Sequence, residues 1–146
     1  MNYLHKKNII HRDLKSPNIL MGYDNLLKIS DLDSHTRGSS ERDLSISFRG
    51  TVSWMAPELL RSEKCCSRVD IWSFGVVIWE LLTREEPYKT LNPNQIIYGV
   101  GMGTLKLPIP HSCPSEIASL LQLCWKTVPH QRPQFNQIKK TIMVNI

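Results

Sequence analysis

The chain has 146 residues, of which 41% are hydrophobic and 21% charged, a balance that suits one domain with a buried core and argues against long disordered tracts. Its net charge of +5 is spread along the sequence without a zinc-finger or basic-helix pattern, so nucleic acid is not the expected partner. The longest apolar stretch, residues 69–82, is too short to span a bilayer and carries Asp70 and Glu80, and the first residues hold no signal-peptide core.

Taken in chain order, the first elements are short β-like runs: Ile9-Ile10, Ile19-Leu20-Met21 and Leu27-Lys28-Ile29. Gly22-Tyr23-Asp24-Asn25 supplies turn chemistry between the last two, which predicts a hairpin. Residues 34–47 are rich in Ser, Arg and Asp and read as a long surface loop. After Pro57 the pattern becomes helical. Ser67-Arg68-Val69-Asp70 matches a capping box ahead of a run that is apolar on nearly every side, the signature of a central helix wrapped by others. Asn92-Pro93 opens a helix with Ile96, Ile97 and Val100 on one face, and Pro114-Ser115 opens another with Ile117, Leu120, Leu121 and Cys124 inward. A last helix follows Pro133, with Phe135, Ile138 and Ile142 facing the core. The expected fold is α+β and predominantly helical.

Cys65, Cys66, Cys113 and Cys124 show no C-x-x-C spacing, so neither a zinc site nor a disulfide framework is expected. Cys124 reads as a small buried hydrophobe, and reduced thiols in the cytosol or nucleus are the default.

His11-Arg12-Asp13-Leu14-Lys15-Ser16-Pro17-Asn18 matches the pattern H-R-D-L-x-x-x-N at every fixed position. Asp31 follows the third β-like run, Ala56-Pro57-Glu58 comes later, Asp70 begins the apolar helix, and Arg132 lies in Pro129-His130-Gln131-Arg132-Pro133. In this order and spacing the chain resembles the C-terminal lobe of the protein kinases, over residues 1–146. The lysine at position 15 resembles the serine/threonine class.

The resemblance implies transfer of the ATP γ-phosphate to a protein hydroxyl, with ATP and Mg²⁺ as cofactors. Such transfer needs positioning and charge neutralisation more than covalent help. By resemblance, Asp13 accepts the substrate hydroxyl's proton, Lys15 offsets charge on the transferring phosphoryl, and Asn18 and Asp31 hold magnesium. Thr51 would bond Asp13 and Lys15 and help receive the substrate residue; read without the resemblance, it is a turn threonine. Leu20 would be the apolar floor under the adenine, or plain core. Asp70 would accept hydrogen bonds from the catalytic-loop backbone, and Arg132 would form a buried ion pair with Glu58. Phosphate on Ser39, Ser40, Ser45 or Ser47 could pair with Arg12 and order an activation loop. Trp72, Trp79 and Trp125 read as packing residues.

Within the kinases, Ser16-Pro17, residues 69–82, Ile96-Ile97-Tyr98-Gly99-Val100-Gly101 and Leu107-Pro108-Ile109-Pro110 resemble the mixed-lineage kinases, in particular their dual-leucine-zipper branch. That branch implies a cytoplasmic mitogen-activated protein kinase kinase kinase, with a MAP kinase kinase as protein substrate and oligomers formed through zippers outside this sequence.

The sequence departs from the family pattern in two places. Asp31-Leu32-Asp33 stands where D-F-G is usual, placing a second carboxylate at a position that favours glycine, so reduced activity is expected. No glycine-rich phosphate loop or strand lysine precedes His11, so the chain by itself is expected to phosphorylate nothing measurably. The alternative is a pseudokinase-like lobe that captures kinases or scaffolds through its helical surface.

Overall fold

Residues 1–32 and 52–144 are described by a computed structural model. Helix α1 (Asn2–Lys6) closes where Asn8 takes a left-handed conformation and the Ile9 N–H donates back to the Leu4 carbonyl at 3.0 Å. Ile9-Ile10, expected as a strand, is irregular. Ile10 packs against the core, and the backbone donors that follow it turn to a side chain on a distant helix instead of a ladder.

The hairpin is present. A one-turn 3₁₀ helix, Ser16–Asn18 with Pro17 in it, feeds strand β1 (Ile19–Met21), which pairs antiparallel with β2 (Leu27–Ile29). The turn is closed by Gly22 N–H to the Leu26 carbonyl at 2.9 Å, with Asn25 left-handed and Asp24 Oδ1 accepting from the Leu26 N–H. Both roles suit Asn and Asp, whose short side chains tolerate or cap such turns. Ile19 and Ile29 pair across the ladder and pack on the helical core, which fixes the register.

After a second 3₁₀ turn (Val52–Trp54) come α2 (Pro57–Leu60), α3 (Arg68–Thr83), α4 (Pro93–Gly101), α5 (Ser115–Cys124), a third 3₁₀ turn (Pro129–Gln131) and α6 (Phe135–Val144). Helix α3 runs between two cores, which is why its sequence is apolar all round. Val69, Trp72, Val76, Val77 and Trp79 join α2, α4 and Leu107 on one side, while Ile71 joins Leu14, Leu120, Cys124, Phe135 and Ile138 on the other. Burial pushes the Cys124 thiol up to about 12, so it packs as a small hydrophobe. The four cysteines are free thiols. Trp72 and Trp79 are core residues, and Trp125 packs against both cores. Among the described residues no helix is long and apolar enough to cross a membrane.

The capping box expected at Ser67–Asp70 does not form. Ser67 is itself helical and its hydroxyl makes no cap bond: the Asp70 N–H bonds the Ser67 carbonyl at 3.3 Å, and the Asp70 carboxylate is committed elsewhere. A capping box does form at α4, where Asn92 and Gln95 exchange bonds of 3.0 and 2.9 Å.

Close packing of α3 on α5 depends on Gly75. A Cβ there would sit 2.7 Å from Trp125 Nε1 and 2.9 Å from Cys124 Cβ, both anchored in the core. Gly75→Ala is therefore expected to lower stability by about 1–3 kcal/mol in urea unfolding, despite the better helix propensity of alanine. At Gly101 a Cβ would meet nothing nearer than 3.7 Å, so Gly101→Ala serves as the neutral comparison.

Candidate active site

The loop that carries His11–Asn18 is held from below by α3. Asp70, fully buried in the first turn of α3, accepts from the His11 N–H at 2.8 Å through Oδ2 and from the Arg12 N–H at 2.8 Å through Oδ1. Oδ2 also lies 2.7 Å from His5 Nε2, which ties α1 to the same carboxylate. These bonds hold Arg12 in a left-handed conformation, φ 65°, which costs a non-glycine residue about 1–3 kcal/mol. The buried His11 ring braces the loop from within. Its Nδ1 accepts from the Asp13 N–H at 3.3 Å, and its Nε2 faces the Ser30 carbonyl at 3.1 Å, so the ring carries its hydrogen on Nε2.

On this scaffold three of the expected site residues come together. Asp13 Oδ2 lies 3.0 Å from Lys15 Nζ and accepts from Asn18 Nδ2 at 3.1 Å, while Asn18 Nδ2 also donates to the Asp13 carbonyl at 2.9 Å. One edge of the carboxylate is thus saturated. The other oxygen, Oδ1, is buried and accepts no hydrogen bond from the described residues. A buried acceptor without a partner is costly, and a donor that reaches it relieves the cost. A hydroxyl is a donor of the right kind.

Asp31 follows Ser30, whose N–H and hydroxyl both donate to the Asn18 carbonyl, at 2.9 and 3.2 Å. The end of β2 is thereby tied to the residue that opens β1. Asp31 itself is exposed and left-handed, φ 62°. Leu20, 51% exposed in the middle of β1 and paired across the ladder with Lys28, is not core. Thr51, Asp33, Ser39, Ser40, Ser45, Ser47 and the expected loop at 34–47 lie outside the described residues.

The donor set suits a hard, oxygen-seeking cation. Asn18 spends both amide hydrogens on Asp13, which leaves its amide oxygen as an acceptor in a fixed orientation, and Asp31 offers a carboxylate. Magnesium is typically held by one or two such groups together with substrate phosphates, not by an all-protein cage.

A buried ion pair ties α2 to the segment after α5. Arg132 binds Glu58 through both carboxylate oxygens, at 2.6 and 2.8 Å, and spends its other hydrogens on the carbonyls of Lys126, Arg68 and Thr127. Sequence reasoning missed two members of the site. His5 carries no distinguishing signal. Glu80 does, as a carboxylate inside an apolar helix, and it accepts from Ser16 Oγ and Trp54 Nε1, both at 2.8 Å.

A family model described as protein tyrosine and serine/threonine kinase matches residues 1–142. The chain is 54% identical, over 94% of its length, to mitogen-activated protein kinase kinase kinase 12 of Rattus norvegicus. It is 50% identical over 94% to mitogen-activated protein kinase kinase kinase 13 of Homo sapiens, and 44% identical over 96% to mitogen-activated protein kinase kinase kinase dlk-1 of Caenorhabditis briggsae. The chain spans only 15%, 14% and 16% of the length of these three relatives.

Proposed function

Because the chain belongs to the protein tyrosine and serine/threonine kinase family, we propose that residues 1–146 are the catalytic-loop lobe of a mitogen-activated protein kinase kinase kinase of the dual-leucine-zipper kind. The reaction is transfer of the ATP γ-phosphate to a serine or threonine hydroxyl of a MAP kinase kinase in the cytoplasm. The observation that carries this reading is the carboxylate of Asp13, with Lys15 and Asn18 on one edge and, on the other, a buried oxygen that takes no donor from the described residues.

In the proposed mechanism the substrate hydroxyl donates to Asp13 Oδ1, which orients it and takes its proton as the oxygen attacks phosphorus. Lys15, held against the same carboxylate, keeps that carboxylate in place and brings a positive charge beside the transferring phosphoryl. Asn18 and Asp31 would hold Mg²⁺, which when bound neutralises phosphate charge. Leu20, exposed on the face of β1 away from the core, is available to the adenine. Thr51, next in sequence to the Val52–Trp54 turn, would help seat the substrate residue. The interval 34–47 serves as an activation loop.

The test joins residues 1–146 behind the nucleotide-binding half of one of the relatives. With Mg-ATP and a MAP kinase kinase, phosphate is expected on serine or threonine, and chelation of the metal with EDTA is expected to abolish its incorporation. A lobe that acts only as a scaffold would capture the MAP kinase kinase equally with and without metal and transfer nothing, which would defeat the enzymatic reading.

A further inference from the structure

Glu80 is a half-buried carboxylate in the apolar middle of α3, between the core residues Val77 and Trp79 on one side and the exposed Leu81 on the other. Its two oxygens are divided between two different segments. Oε1 accepts from the hydroxyl of Ser16, the residue that follows Lys15 and starts the turn ending at Asn18. Oε2 accepts from the indole N–H of the buried Trp54, at the end of the Val52–Trp54 turn that leads into α2. The Trp54 carbonyl is in turn held by Ser73 Oγ at 2.7 Å, also from α3. A carboxylate can only accept, and each donor has its own oxygen, so one turn cannot slide past the other without breaking a bond.

We propose that Glu80 is a positioning residue for phosphoryl transfer, one that locks the turn between Lys15 and Asn18 to the Trp54 turn that leads into α2. The inference rests on the kinase reading for its consequence, while the clamp itself rests on geometry alone. A half-buried charge spent on two neutral donors is a poor source of stability, since desolvation offsets much of what the bonds contribute. Its effect is registration. A displacement of about 1 Å can cost on the order of 100-fold in rate when reacting groups must be aligned.

Two readouts test it. In the ¹⁵N-labelled 146-residue chain, the four tryptophans give four indole signals. Ser16→Ala, which touches only the far oxygen, is expected to shift the Trp54 indole signal. Glu80→Ala is expected to speed its exchange with solvent. Glu80→Gln is expected to keep exchange slow, because the amide oxygen can take the indole hydrogen and the amide nitrogen can donate to Ser16 Oγ. In the joined enzyme, Glu80→Ala is expected to lower kcat by about 10- to 100-fold with little change in KM for Mg-ATP, and Glu80→Gln to recover most of the loss. Should Glu80→Ala fail to fold, Ser16→Ala, Trp54→Phe and their double variant decide the point, since a shared clamp makes their kcat losses less than additive. An indole signal indifferent to Ser16→Ala overturns the clamp. Full kcat in Glu80→Ala, or additive losses in the double variant, overturns the positioning role. If the joined wild-type enzyme transfers nothing, the kinase reading fails, and the indole signals still decide whether the clamp exists.

Discussion

Asp13→Asn, introduced into the joined enzyme, is expected to lower kcat by about 10²- to 10⁴-fold, the range for loss of a general base, while KM for Mg-ATP stays nearly constant. The amide is the same size as the carboxylate. Its oxygen can occupy the edge that faces Lys15 Nζ and Asn18 Nδ2, which keeps the bonds at 3.0 and 3.1 Å. Its nitrogen then stands where Oδ1 was, buried, with hydrogens that meet no acceptor among the described residues. A nitrogen at that place cannot take the proton of an incoming hydroxyl. The fold should change little, since one unpaired buried polar atom replaces another while the paired oxygen is kept and the side chain becomes neutral. The melting temperature is accordingly expected to hold or rise slightly as kcat collapses, and that divergence separates a catalytic loss from a folding loss. Activity equal to that of the parent would remove Asp13 from the mechanism.

The His11–Asn18 loop was legible because its members lie within a few residues of one another and their chemical types match the proposed task. What the pattern of residue types could not carry was where long-range acceptors send their lone pairs. Ser67-Arg68-Val69-Asp70 has the letters of a capping box, yet Asp70 serves His11 and Arg12. In a capping box the acid would be spent on its own helix; here both of its oxygens are drawn to two backbone donors that no secondary structure satisfies. Ile9-Ile10 failed as a strand for the same reason. Two apolar residues say only that the segment packs on a core, and the backbone donors next to them go to a side-chain acceptor instead of a ladder. Helix α3 was read correctly because a helix between two cores must be apolar on both sides. Glu80 was visible as an exception in that helix, but only the fold reveals that its donors are Ser16 and Trp54.

The largest expected loss of stability comes from the pair on the far side of α2. Glu58 and Arg132 are 2% and 1% exposed, joined through both carboxylate oxygens, with the guanidinium 5.1 Å from the Trp72 ring. Arg132→Met leaves the carboxylate buried without a cation, and the carbonyls of Lys126, Arg68 and Thr127 lose their donor at the same time. Breaking one side of a buried pair costs about 3–5 kcal/mol, a large share of the roughly 5–15 kcal/mol that holds a domain together. Glu58→Gln should cost less, because a neutral amide can still accept from the guanidinium, and adding it to Arg132→Met should recover part of the loss by removing the stranded charge. Urea unfolding of the two single variants and the double variant measures that coupling directly. The consequence reaches the site through the chain itself: Glu58 lies in the first turn of α2, and the Trp54 turn that Glu80 holds runs straight into that helix. If Arg132→Met unfolded within about 1 kcal/mol of the parent, the magnitude expected of a surface change, the pair would be a bystander and α2 would owe its position to apolar packing alone.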